Sequence, residues 1–217
     1  MTLALAVFGT FFGLIIALIF SILRVQKPLE TDRKFVKILK LIGFGFVKTY
    51  VTIFRGTPMI VQGVIFYYSF YSIGIRWSPF NAGLFTVSLN TAAYLTEVLR
   101  GGIQSVDPGQ EEAARSIGMS GGKAFLYIIF PQAIKNSFAS IGNELIVNIK
   151  DTAVLSTIMV VDLFYVANSA AGTYFLFVEA MLVAAMIYLA LTYSSSKILQ
   201  IIEKKLNIPT KDIVSSN

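Results

Sequence analysis

The chain has 217 residues, 55% of them hydrophobic and 14% charged, with a formal net charge of +6. A mean hydropathy of +0.71 is too high for a soluble domain and predicts a membrane protein with several apolar runs of bilayer-spanning length. With neither cysteine nor histidine, disulfides, cysteine or histidine metal sites and a histidine base are excluded. No catalytic residue, no metal ligand set and no G-x-x-x-x-G-K-[ST] nucleotide loop is found. The positive charge lies beside the apolar runs, which fits membrane topology and not nucleic acid.

Apolar runs fall at about 3–23, 57–75, 80–103, 136–165 and 173–196. Water is absent from a bilayer core, so each should be helical. The first run starts almost at Met1 without a basic n-region or a small-residue cleavage site, and is not read as a removable signal peptide. After it, Phe35, Ile38, Leu39, Ile42 and Phe46 recur at helical spacing, interspersed with Lys34, Lys37, Lys40 and Lys48. This describes either an amphipathic helix on the inner leaflet or a cytoplasmic extension of the second span.

The second run opens with Gly56-Thr57-Pro58. Free amides at such a helix start can bind a carboxylate; equally, a start near the cytoplasmic face can serve packing or an inner gate. In the third run Asn90 and Thr91 lie near the middle, and positions 90, 94 and 97 share a helix face. Polar groups inside spans are costly and mark functional paths, so Asn90, Thr91, Tyr94 and Glu97 are candidates to line one. The competing expectation is that Glu97 pairs with Arg100 at i,i+3.

A polar loop at about 107–131 follows. Asp107 before Pro108 is a helix N-cap with proline at the first helical position. Gln110 is placed to complete a capping box, and Glu111 and Glu112 suit the first turn. Gly118 can take the left-handed conformation that ends a helix. Ser120 can cap a second helix running to about Phe130 before Pro131. Two short helices bent at Gly118 are predicted.

The fourth run is long and mixed, hence tilted, broken or partly outside the lipid. It carries Glu144, Lys150, Asp151 and Asp162. Lys150 and Asp151 are adjacent and cannot face one another on a helix, so each should pair elsewhere. Asp162 is near the outer end and can face a cavity. Glu179, in the fifth run, can pair with Lys150. Basic residues orient the set. Arg24, Lys27, Arg33, Lys34, Lys37, Lys40 and Lys48 follow span one, Arg115, Lys123 and Lys135 follow span three, and Lys197, Lys204, Lys205 and Lys211 follow span five. The other side has Arg76 alone. The positive-inside rule puts the N-terminus outside, and the C-terminus and the polar loop in the cytoplasm.

Glu112-Ala113-Ala114, Gly118, Ile128 and Pro131 fit E-A-A-x3-G-x9-I-x-L-P, with Phe130 in place of the leucine. The pattern resembles the EAA loop of permease subunits in ATP-binding-cassette importers. Phe54-Arg55-Gly56-Thr57-Pro58, Ala93-Tyr94 through Glu97, Arg100-Gly101-Gly102-Ile103, and Gly142-Asn143-Glu144 through Lys150-Asp151-Thr152 resemble the polar amino acid uptake permeases over nearly the whole chain. The resemblance implies an all-α membrane protein of the type I importer fold, with a single domain over 1–217 and five spans in a bacterial inner membrane. It implies a second permease copy or paralogue, two ATPase subunits that hold the ATP and magnesium, an extracytoplasmic substrate-binding protein, and no cofactor on this chain. By the same resemblance Glu112, Ala113, Ala114, Gly118 and Pro131 couple to the ATPase.

Asn90, Thr91, Tyr94, Glu97, Asp162 and Thr57 are then the substrate-pathway candidates. Arg55, Arg100, Glu144, Lys150 and Asp151 are read as structural or gating. If Glu97 and Asp162 face the cavity unpaired, arginine, lysine or histidine is the expected cargo. Two competing readings are an ion-gradient-driven transporter or channel, and a heterodimer half that does not itself bind substrate.

Overall fold

The computed structural model describes residues 1–25 and 33–206; Lys27 and Lys211, counted above for orientation, lie outside the described residues. The described residues form α-helices and no strand. They are α1 (Thr2–Val25), α2 (Lys34–Gly56), α3 (Met59–Ser72), α4 (Pro79–Gln104), α5 (Pro108–Ser116), α6 (Gly121–Ala124), α7 (Phe130–Asp151), α8 (Leu163–Tyr174) and α9 (Phe177–Lys205). A π-helical turn, Phe125–Ile129, joins α6 to α7, and a 3-10 stretch, Thr152–Ile158, continues α7.

The helix at the centre is α4, which packs against α1, α2, α3 and α7. Against α1 it meets a stripe of small residues, with Ala6, Gly9, Thr10, Gly13, Ala17 and Ser21 all buried. A Cβ on Gly9 would collide with the Val87 side chain, and one on Gly13 would lie 2.9 Å from Thr91 Cβ. Glycine at these positions lets the two backbones approach, which is how helices pack in a medium as apolar as their own side chains. Asn148 of α7 closes a three-helix tie: its Nδ2 donates to Thr10 Oγ1 at 2.8 Å and to Thr91 Oγ1 at 2.9 Å. Both amide hydrogens are used, so the tie fixes the register of α1, α4 and α7 together.

The apolar run at 57–75 contains a 14-residue helix, α3, joined to the longer α2 across the break at Thr57 and Pro58. The lysines of α2 interrupt its apolar pattern and hide its length in the sequence. Proline lacks an N–H, so the Phe54 carbonyl has no helical partner at position 58. Gln62 Nε2 donates to that carbonyl at 2.9 Å and to the Thr57 carbonyl at 3.0 Å, and Asn90 Nδ2 approaches the Phe54 carbonyl at 3.4 Å. Since Asn90 is in the middle of α4, the break lies level with that middle and not at the end where the loop lies. That corrects the placement of Thr57 near the cytoplasmic face.

Among the described residues, α1 and α9 are each long and apolar enough to cross a membrane. A third candidate is the stretch Gly121–Ile158 with α8, a pair bent by 54°. At this bend Met159 adopts φ 63°, and Asp162 then caps α8 by accepting from Tyr165 N at 2.8 Å. Thr2 Oγ1 accepts from Leu163 N at 2.9 Å, pinning the start of α8 to the start of α1.

Gly13→Val should lower the stability of the purified chain in detergent by about 1–3 kcal/mol through overpacking against α4. The same change at Gly45, whose Cβ position has nothing within 4 Å, should be close to neutral. Thermal unfolding of the two variants checks the difference.

Candidate functional site

The loop between α4 and α7 is built as its local chemistry requires. Asp107 accepts from Gly109 N at 2.8 Å, with Pro108 in the first turn of α5. The end of α5 is a Schellman closure: Met119 N donates to the Ala114 carbonyl at 3.1 Å and Gly118 N to the Arg115 carbonyl at 3.0 Å. Gly118 sits at φ +88°, where a Cβ is strained. Three details differ from the sequence expectation. Ser120 stands at the N-cap of α6, but its side chain makes no capping hydrogen bond. Gln110 has turned from the capping box, and its Oε1 lies 3.5 Å from Gln132 Nε2. The second helix does not stop before Pro131. Its backbone widens into the π-helical turn, with Phe130 N donating to the Phe125 carbonyl, and runs on into α7. The wider register makes room for a proline ring that would clash in an α-helix.

Glu112 and Ala113 are exposed, whereas Ala114 is buried at 4% exposure. The two alanines therefore do different work: Ala113 presents a small surface, and Ala114 lets α5 lie close against α6 and the π-helical turn. Beneath the loop, Ile103, Val106, Ile129 and Ala133 form one apolar cluster with Val25 and Phe125 packed on it. Polar contacts fasten its edge. Asn136 Nδ2 donates to Ser105 Oγ at 2.9 Å, and Gln132 Nε2 to the Ile128 carbonyl at 2.8 Å. Gly102 lies so close to α7 that a Cβ would strike Ser137 Oγ and approach the Ala133 carbonyl. Ile117, directly before the Gly118 turn, stands 80% exposed at the bend.

Positions 90, 94 and 97 share one face of the unbroken α4, and each predicted pathway residue has its own partners. Asn90 is held by Gln62, its Nδ2 donating to Gln62 Oε1 at 3.0 Å, and Thr57 Oγ1 accepts from Gln62 Nε2 at 2.8 Å. Thr91 belongs to the Asn148 tie. Tyr94 carries the Arg55 guanidinium over its ring at 5.3 Å. Glu97 is engaged twice, by Arg100 (Nε and Nη2 both at 2.8 Å) and by Arg24 Nη2 at 3.1 Å. Arg100 also donates to Gln104 Oε1 at 2.6 Å. Asp162 is buried, capping α8 and facing Tyr188, whose hydroxyl lies 3.4 Å from Oδ2. Glu144 is half-buried with Asp151 and Arg55 as its charged neighbours, while Lys150, Asp151 and Glu179 are exposed. The condition for a cation site at Glu97 and Asp162, two unpaired acids, does not hold within this chain. Asn148 and Arg24 have mates remote in sequence, whereas Gln62 joins the nearby Phe54 and Thr57 to the distant Asn90.

The geometry comprises a capped polar loop fused to a helical bundle, with breaks between α2 and α3 and between the 3-10 stretch and α8. Residues 39–208 match the model of the binding-protein-dependent transport system inner membrane component. The chain belongs to that family. Its members are membrane transport components and not enzymes. A putative glutamine transport system permease protein of Rickettsia conorii is 39% identical over 206 residues, covering 94% of this chain and 89% of that one. An arginine transport system permease protein of Bacillus subtilis is 32% identical, with the same coverage of each. The crystal structure of an amino acid ABC transporter with histidines superposes at a TM-score of 0.82 and 35% identity, over 94% of this chain and 90% of that one. The type I importer fold is thereby shared by this permease.

In this family member the two alanines should separate on mutation. Ala114→Leu should unseat α5 and lower the unfolding temperature, since overpacking a buried site costs about 1–3 kcal/mol. Ala113→Leu, at an exposed position, should leave the unfolding temperature nearly unchanged. Equal effects of both on stability would contradict the assigned burial.

Proposed function

We propose that the chain is the transmembrane permease subunit of an ATP-driven importer of polar amino acids. The observation that carries this is the exposed Glu112–Ala113 edge of α5, closed at Gly118 and packed on α6 and the π-helical turn, whose Phe125 and Ile129 join the apolar cluster at the ends of α4 and α7. A glutamate beside a small residue offers a carboxylate for a basic partner and room for close approach. The partner is a separate ATPase that holds ATP and magnesium. Charge topology supports a cytoplasmic loop and C-terminus and an outer N-terminus. A second permease copy or paralogue completes the channel, and an extracytoplasmic binding protein delivers substrate.

ATPase closure would move α5, and the cluster of Ile103, Val106, Ile129 and Ala133 would carry that motion to α4 and α7 as a rigid unit. Breaks at Thr57–Pro58 and at Met159–Asp162 then supply the points where the bundle flexes. Substrate selection is the finer part of the reading. Glu97 is neutralised by two arginines, so a preference for arginine, lysine or histidine falls to Glu144 and Asp151, which sit within each other's field.

Reconstitution with the cognate ATPase and binding protein tests this. ATP should drive uptake of labelled arginine or glutamine, and a proton or sodium gradient alone should not. Glu144→Gln with Asp151→Asn should lower the arginine-to-glutamine uptake ratio several-fold, and Glu97→Gln should leave that ratio unchanged. Gradient-driven uptake without the ATPase would overturn the importer reading and favour a secondary transporter. A ratio that follows Glu97 would overturn the assignment of the selecting acids.

A further inference from the structure

The first third of α2 overhangs the bundle. It meets α1 where Gly43 comes within 3.5 Å of Leu23, measured from its Cβ position, and where Arg24 lies 5.5 Å over the Phe44 ring. The helix begins at Lys34, nine residues earlier, which is about 14 Å of helix. On that overhang Phe35, Ile38, Leu39, Leu41 and Ile42 are 57–77% exposed. Phe35, Ile42, Phe46 and Ile53 lie on one stripe by their spacing, and the last two are also exposed, at 60% and 54%. Lys34 and Lys37 are exposed on the same overhang, and α2 contains no acidic residue.

We propose that this segment seats anionic phospholipid of the leaflet on the loop's side. Acyl chains would lie on the stripe from Phe35 to Ile53, and headgroup phosphates would bind at Lys34 and Lys37. Two features select lipid over a soluble partner. The exposed apolar stripe runs from Phe35 on the overhang past Phe46 to Ile53, with Thr49 between them, alongside α1, a helix long and apolar enough to span, so a lipid can cover both depths. Long lysine side chains can lay their stems on the apolar face and reach the headgroup level, and a run of cations without acids complements an anionic surface. The overhang starts at the same end of the bundle as the coupling loop, since Val25 packs on the cluster beneath that loop. Naming the leaflet as the cytoplasmic one rests on the orientation proposed above; the lipid site itself does not.

The test uses the assembled permease–ATPase complex in nanodiscs of phosphatidylcholine with one third phosphatidylglycerol. After detergent extraction and purification, phosphatidylglycerol retained per complex is counted by mass spectrometry. The wild type should retain it. Lys34→Gln with Lys37→Gln should reduce occupancy roughly tenfold or more, from the field of two surface lysines, without changing the unfolding temperature. Lys34→Arg with Lys37→Arg should restore occupancy. Equal retention by the wild type and the glutamine variant overturns the proposal, as does retention of phosphatidylcholine in equal measure. If the complex shows no ATP-driven uptake in any lipid, the importer reading fails, while the lipid count still decides this site.

Discussion

Backbone groups freed at a helix break have no water to turn to inside a bilayer, so other parts of the protein must supply their partners. This constraint decides how the chain uses its few polar residues. At Pro58 the orphaned Phe54 carbonyl is met by Gln62 and approached by Asn90. At Pro131 the helix widens into a π-helical turn instead of breaking. After the 3-10 stretch, Asp162 and Thr2 take the first amides of α8. Of the residues that look like a polar path in the sequence, Thr57, Asn90 and Asp162 also serve the bends of this chain.

Those repairs separate rigid regions from flexible ones. α1, α4 and α7 are locked by close glycine packing and by Asn148. The loop shares an apolar cluster with the ends of α4 and α7, so force applied at α5 reaches both helices through packed side chains. Irregular backbone interrupts the helices at Thr57–Pro58 and in the segment after Asp151. The loop is thus joined through packed side chains to α4 and α7, and the breaks at Thr57–Pro58 and Met159–Asp162 lie on either side of it in the chain.

Much of the loop was legible in the sequence because its determinants are local. A cap, a proline and a glycine act within a few residues, so Asp107, Pro108 and Gly118 could be read directly. The family pattern was legible for the same reason. What could not be read were interactions between residues far apart in the chain. Glu97 has Arg100 one turn away, which the spacing suggested, but Arg24 reaches it from another helix. The difference between Ala113 and Ala114 depends on which side of α5 meets the π-helical turn, a tertiary fact. The length of α2 was obscured because its lysines dilute a helix whose outer face is apolar.

The central claim is that the exposed edge of α5 docks a separate ATPase. The chain has no cysteine of its own, so one introduced as Ala113→Cys reports on its surroundings alone. A bifunctional thiol-to-amine cross-linker applied to the reconstituted complex should join this position to the ATPase, with a yield that changes when ATP is added. Ala124→Cys, at a buried position, should give no product. Capture of the ATPase from elsewhere on the chain, with none from position 113, would contradict the account.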